Sequence, residues 1–193
     1  EAMSQPTNGA ADETLPPAPA DGNWSKWAAD LTPAQREHLR RALLFDTETG
    51  FFTREYFAEL LQAELDRSKR YQRIVSLALI RLDDYEIVKA ERGQPGIDLL
   101  MKHAAEMLKA RIRDVDVAGR FSTNELAIIM PETDGMAGAM VASRVCNNIT
   151  ANAPQEGQAA LCVSVGVASF PHDAKDFTDL VFWARTDMEP HPC

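Results

Sequence analysis

Only three of the 193 residues are cysteine, Cys146, Cys162 and Cys193. They form no even framework and no close pair, and the four histidines stand away from two of them, so neither a disulfide scaffold nor a structural zinc site is expected. His191 and Cys193 are two positions apart, a poor spacing for shared ligation, at an end expected to fray. No apolar run approaches the roughly 18 residues that a membrane span requires, and no basic-then-apolar start reads as a signal peptide. The expected compartment is the cytoplasm, with no membrane contact in this stretch. Basic residues are outnumbered too: 20 Lys and Arg against 29 Asp and Glu leave a net charge of −9. Five acids and one base lie in Glu1–Asp30, so −4 of that total sits there and −5 in the rest. Non-specific nucleic-acid binding needs a net basic face to release counterions, and is disfavoured. What is present is an ordinary globular composition, 45% apolar and 25% charged.

Residues 1–23 are rich in Pro, Ala, Asp and Gly and hold almost nothing to bury, so ordering them would not be repaid. They read as a disordered linker or cloning remnant reaching to about residue 31, and a start without Met suggests a piece of something longer. Thr32-Pro33, an N-cap followed by proline at the first helical position, predicts a leading helix over 32–45 with Leu39, Leu43 and Leu44 on one face. Such a helix packs on the domain behind it or joins a partner's copy, core packing being the simpler reading. From Asp46 the signals become regular. Thr53 caps a helix to about Tyr71 with an apolar stripe through Phe57, Leu60, Leu61 and Leu65. Ile74–Leu82 is apolar on both alternating faces, which marks a central strand covered on both sides. Pro95 opens a helix to about Ile112 with Leu99, Leu100, His103, Met107 and Leu108 inward. Val117–Phe121 and Glu125–Met130 form a hairpin around Ser122-Thr123-Asn124. A helix over Thr133–Thr150, a strand over Leu161–Ser169 and a helix over Asp176–Thr186 follow, with 188–193 frayed. This alternation, in about 145 residues, argues one α/β domain with a mixed central sheet and helices on both faces.

Four segments of this stretch resemble the GGDEF domains that make or sense cyclic di-GMP. Asp46-Thr47-Glu48-Thr49-Gly50-Phe51-Phe52-Thr53-Arg54 is similar to the family's opening D-x-L-T-G-L-x-N-R. Leu82-Asp83-Asp84-Tyr85 resembles D-x-D-x-F at the end of the first strand. Arg120-Phe121-Ser122-Thr123-Asn124-Glu125-Leu126 falls where R-Y-G-G-D-E-F stands, and Val163-Ser164-Val165-Gly166-Val167-Ala168 resembles V-S-I-G-V-A. The likeness is in order from Asp46 to about Ala184, and implies the mixed sheet of nucleotidyl cyclases and polymerase palms, here a degenerate domain over 46–187.

The departures bear on activity. Catalysis in the family resembles polymerase-type phosphoryl transfer, with carboxylate-held divalent ions on the triphosphate and glycines that let backbone N–H groups approach it. Residue by residue, the first-strand metal carboxylate falls on Arg81 and the hairpin carboxylate on Asn124. A guanidinium repels Mg²⁺ and a neutral Asn does not compensate. The two glycines become Ser122 and Thr123, and a β-branched Thr resists the φ > 0 that a two-residue hairpin demands. The guanine-reading Asn aligns with Lys89, and Met188–Cys193 holds none of the basic residues expected after the last helix. Asp98 and Glu125 match, although Asp98 near a helix N-terminus is favourable there in any case. An Arg leaving a central strand needs an anion, so Arg81 is expected to pair with Asp83 or Glu125 in the old metal position. No cofactor is expected.

Arg113-Asp114-Val115-Asp116 is an R-x-x-D ending six residues before Ser122, the offset of the family's product-inhibition site. Arg113 offers a planar fork for the guanine O6/N7 edge or a phosphate, and Asp116 accepts from N1–H and N2–H₂. Their spacing across a helix-to-strand turn is expected to bring both side chains to one side. Arg144 matches the place from which many relatives add a second arginine, often to a ligand shared between two protomers. The same residues also read as a charged surface turn capping a helix. The resemblance therefore implies an inactive domain that binds cyclic di-GMP through Arg113-x-x-Asp116, with a ligand-linked homodimer and an effector protein or flanking domain as partners. The alternative is a ligand-independent interaction or dimerisation module using the leading helix and Trp24/Trp27. An active diguanylate cyclase is disfavoured because two metal ligands are lost together. No P-loop, G-x-S-x-G or H-E-x-x-H points to another enzyme class.

Overall fold

A computed structural model describes residues 14–152 and 161–191. The chain divides into two units, 1–45 and 46–193. In the first, α1 (Trp24–Asp30) starts where the Asn23 side chain accepts from the Lys26 N–H. A seven-residue helix thus lies inside the stretch expected to be linker; residues 1–13 lie outside the described residues. The rings of Trp24 and Trp27 meet edge to face. α2 (Pro33–Leu44) carries a full capping box, with Thr32 Oγ1 accepting from the Gln35 N–H and Gln35 Oε1 from the Thr32 N–H. Within α2, Leu39 and Leu44 are half-buried and Leu43 is exposed.

The second unit is built on alternation along its strands. β1 (Val75–Leu82), β2 (Val117–Arg120), β3 (Glu125–Pro131), β4 (Val163–Phe170) and β5 (Glu189–His191) form one sheet in the order β2-β3-β1-β4-β5. All four strand pairs are antiparallel, and the isolated Phe52–Gly119 bridge is parallel. Val75, Leu77 and Leu79 of β1 pack with α3 (Arg54–Tyr71) and α6 (Phe177–Thr186). Ala78, Ile80 and Leu82 pack on the other side with α4 (Tyr85–Lys109) and α5 (Gly135–Ala151). A period of two in a strand buried on both faces requires this division. Close approach fixes two glycines. A Cβ on Gly119 would lie 2.3 Å from the Phe57 ring, and one on Gly166 would lie 1.9 Å from the Ala184 carbonyl.

Four expectations are corrected. The helix opened by Pro95 is the second part of α4, which begins at Tyr85 and breaks at Gly93 (φ 63°). Leu99 is 52% exposed; the inward row is Ile97, Leu100, Met101, Ala104 and Leu108, and Leu99 lies about 200° round the helix from Ile97. The C-terminal end does not fray throughout, because Glu189–His191 adds β5 to the edge of β4. Cys162 is disulfide-bonded, against the expectation of no cysteine pairing. Cys146 is a free, buried thiol. No described helix is long and apolar enough to cross a membrane.

Candidate functional site

The opening D-x-x-T-G closes on itself. Asp46 Oδ1 accepts from the Thr49 N–H at 2.9 Å and its hydroxyl at 2.7 Å, and Gly50 takes the left-handed φ of 69° that the turn needs. Arg120, the last residue of β2, ties this turn to the hairpin. Its Nη1 donates to Asp46 Oδ2 at 3.2 Å and to Glu48, its Nη2 to the Thr123 carbonyl at 3.2 Å and its Nε to the Ser122 carbonyl at 3.4 Å. Burial works against the Arg120 charge, but the Glu48 hydrogen bond and the Asp46 charge outweigh it and hold its pKa above the ordinary value.

At the hairpin tip the Phe121 and Ser122 N–H groups donate to the Glu125 carbonyl at 2.8 and 3.2 Å. Ser122, Thr123 and Asn124 all keep negative φ, because the four residues Phe121–Asn124 bridge the strands where a two-residue turn would have forced a left-handed one. Thr123 is therefore accommodated without the strain expected of it. The Leu82 N–H donates to the Asn124 carbonyl at 2.9 Å, which sets the tip beside the end of β1.

There Arg81 stands opposite Glu125 on one side and Ser164 on the other. Its Nε donates to Asp83 Oδ1 at 2.9 Å and its Nη2 to Ser164 Oγ at 3.2 Å, while Ser164 Oγ donates to Asp83 Oδ2 at 2.7 Å. Of the two partners expected for Arg81, the structure shows Asp83. Glu125, buried, is instead held by Arg185 Nη2 at 2.8 Å. Arg185 also lies 5.6 Å from the Phe121 ring centroid, and Arg54 lies 5.8 Å from it. Arg185 is the functional-site residue that sequence reasoning missed; its only signal was a cation in the last turn of α6. Lys89 and Asp98 are engaged within α4, Lys89 over the Tyr85 ring and Asp98 accepting from Gln94 at 2.7 Å.

A divalent ion of the kind the family uses does not fit this donor set. Both Asp83 oxygens are taken, Asp84 Oδ2 accepts from the Cys162 N–H at 2.7 Å, Glu125 is paired, and Arg81 places a cation among them. Among the described residues no three His, Cys, Asp or Glu side chains are grouped to hold a metal.

The R-x-x-D lies elsewhere, in the turn between α4 and β2. The Asp116 N–H donates to the Arg113 carbonyl at 3.0 Å, and the Arg113 N–H donates to Asp116 Oδ2 at 2.8 Å. The two side chains differ in exposure: Asp116 is 9% exposed and folds back on its own turn, whereas Arg113 is exposed. The other oxygen, Asp116 Oδ1, is buried with no hydrogen-bond partner. Arg113 borders a groove of about 1010 Å³ along α5, together with Arg111 and Arg144. Arg111 Nη2 donates to Asn148 Oδ1 at 3.1 Å and Arg144 Nη2 to the Arg111 carbonyl at 3.2 Å, so both guanidiniums are oriented without being neutralised. Among the described residues no carboxylate lines this groove.

Comparison with known proteins agrees with this architecture. Over 136 residues the chain is 30% identical to the probable diguanylate cyclase DgcC of Escherichia coli K12, covering 68% of this chain and 37% of DgcC. The chain thus spans little more than a third of that relative's length. The coiled coil and GGDEF domain of DgcB from Caulobacter crescentus, solved in complex with c-di-GMP, superposes with a TM-score of 0.71 at 18% identity, covering 86% of this chain and 90% of that one. The FimX GGDEF domain from Pseudomonas aeruginosa gives 0.68 at 23% identity, covering 74% and 90%. At those identities the two structures show a shared fold. The family described as diguanylate cyclase, GGDEF domain, matches residues 43–191, from the last residues of α2 to the added strand β5. The chain belongs to the GGDEF domain family.

Proposed function

We propose that this domain does not make cyclic di-GMP but binds it, at the Arg113–Asp116 turn and the adjoining groove, with the cytoplasm as its compartment. The observation that carries the reading is the contrast within that site: three guanidiniums with no lining carboxylate, next to a buried carboxylate oxygen that lacks a donor. A guanine edge supplies donors in N1–H and N2–H₂, and an unsatisfied buried acceptor gains about 1–3 kcal/mol when it is paired. The two phosphates face Arg113 and Arg144. DgcB, whose fold this chain shares, was solved with c-di-GMP. The absence of synthesis rests on the Arg81–Asp83 pair, which puts a fixed cation where the family resemblance expects a metal carboxylate.

Titration calorimetry tests the receptor reading. The wild-type chain is expected to take up cyclic di-GMP, and Arg113→Ala to weaken uptake at least tenfold; no heat from the wild type at high micromolar ligand ends it. Incubation with GTP and Mg²⁺ is expected to release no pyrophosphate above background, and steady release would restore the cyclase reading. Arg144 offered to a ligand on a second copy makes the homodimer ligand-linked, so the mass measured by light scattering is expected to rise when dinucleotide is added. A mass that stays high without ligand favours the interaction module.

A further inference from the structure

The groove is longer than the arginines need. α5 borders it from Met136 to Ala151, nearly its whole length of roughly 25 Å, and only the Arg144 region is basic. Met136 and Met140 stand two turns and one turn before Arg144 on the same helical stripe. They are 80% and 70% exposed. A dinucleotide gripped by Arg113 and Arg144 gives these side chains nothing to do. Between them Ala137, Ala139 and Ser143 keep the surface low, so a second helix can approach closely. The inner face of α5, through Val145, Cys146 and Ile149, is buried, which makes the helix a fixed platform.

We propose that this face of α5 docks an amphipathic helix of a partner protein, whose apolar stripe lies on Met136 and Met140 and whose carboxylates meet Arg144 and Arg113. Charge selects the occupant: on a chain of net charge −9, the groove carries three arginines and, among the described residues, no carboxylate. An acidic helix is attracted to it, whereas a basic helix or a second α5, which would bring Arg144 against Arg144, is repelled. Methionine suits the apolar half, since its unbranched thioether adapts to the shape of a partner. The inference goes beyond the dinucleotide reading and does not depend on it, although the two occupants share Arg113 and Arg144 and therefore exclude each other.

The probe is a phage-displayed library of helical peptides about 18 residues long, or roughly five turns, selected on the full chain after depletion on the Met140→Asp variant. Enriched sequences are expected to carry apolar residues at i, i+3, i+4 and i+7 flanked by Asp or Glu. A fluorescent copy should bind the wild type and lose at least tenfold in anisotropy titrations with Met140→Asp and with Arg144→Glu. Met136→Asp provides a second variant, because an acid in the first turn of α5 favours the helix; circular dichroism confirms that each variant is folded. No enrichment, enrichment of sequences without carboxylates, or binding that Met140→Asp leaves unchanged overturns the proposal. So does self-association that Met136→Asp abolishes, which would assign the groove to a second copy. Uptake of cyclic di-GMP with no selected peptide defeats this proposal alone, and a selected peptide with no uptake defeats only the receptor reading.

Discussion

The hairpin end of the sheet and the outer face of α5 both gather arginines, and the two regions treat them differently. At the hairpin end three guanidiniums meet carboxylates, Arg120 with Asp46 and Glu48, Arg81 with Asp83, Arg185 with Glu125, while Arg54 lies over the Phe121 ring. Along α5, Arg111 reaches a neutral Asn148, Arg144 reaches a carbonyl, and the Arg113 guanidinium makes no hydrogen bond or ion pair among the described residues. Internal pairing uses up positive charge, so the first region has little left for an incoming anion. The second keeps its charge for something outside. Counting arginines would rank the regions as equals, whereas following each one to its nearest acid separates them.

The comparison can be broken from either side. The largest effect is expected at Arg120, where Arg120→Ala leaves Asp46 and Glu48 partly buried beside each other without a cation. The loss is about 2–3 kcal/mol in urea unfolding, and a loss under about 0.5 kcal/mol would mean that the hairpin end is not held by its ion pairs. Next comes Arg144→Ala, which should weaken cyclic di-GMP about tenfold while moving stability by less than about 0.5 kcal/mol. Equal damage to both would place Arg144 among the structural cations. A smaller change is expected at Arg81, whose side chain is 43% exposed. Arg81→Ala should cost under about 1 kcal/mol, while Arg81→Asp combined with Asn124→Asp should create Mn²⁺ binding absent from the wild type, seen by paramagnetic broadening. No broadening in that double variant would show that the arginine is not what excludes the ion.

The smallest effect is in alkaline solution. Burial pushes the Cys146 thiol on the inner face of α5 up to about 12. The folded state therefore keeps the proton after the unfolded chain has lost it. Its contribution is whole below the thiol's ordinary range and declines as pH rises from there towards 12. A Cys146→Ala variant should show a flatter stability profile over that window, and native Cys146 should resist iodoacetamide at pH 8.

The elements were largely legible because their signals are local: the alternation of β1, the cap at Thr32, the hairpin between two apolar runs. Leu99 and the break at Gly93 were not, since several apolar residues in α4 permit more than one inward phase, and packing against the sheet chooses among them. At the site, Arg81 with Asp83 could be read from alternation and charge two residues apart. Arg185 with Glu125, sixty positions apart, is decided by the path of α6 over β4. The Asp116 side chain escaped for a different reason. Spacing places both side chains of an R-x-x-D near one turn, but the exposed backbone N–H of Arg113 competes for the carboxylate and takes one of its oxygens.

The Arg81–Asp83–Ser164 cluster bears on the direction in which this sequence can drift. Placing an acid at position 81 would set it against Asp83 with no cation between them and leave Ser164 without its second partner. Changing Asn124 first would add another negative charge that nothing holds. Each such single step removes a partner from the cluster or adds an unheld charge, so the hairpin end accepts single charge changes less readily than the exposed face of α5.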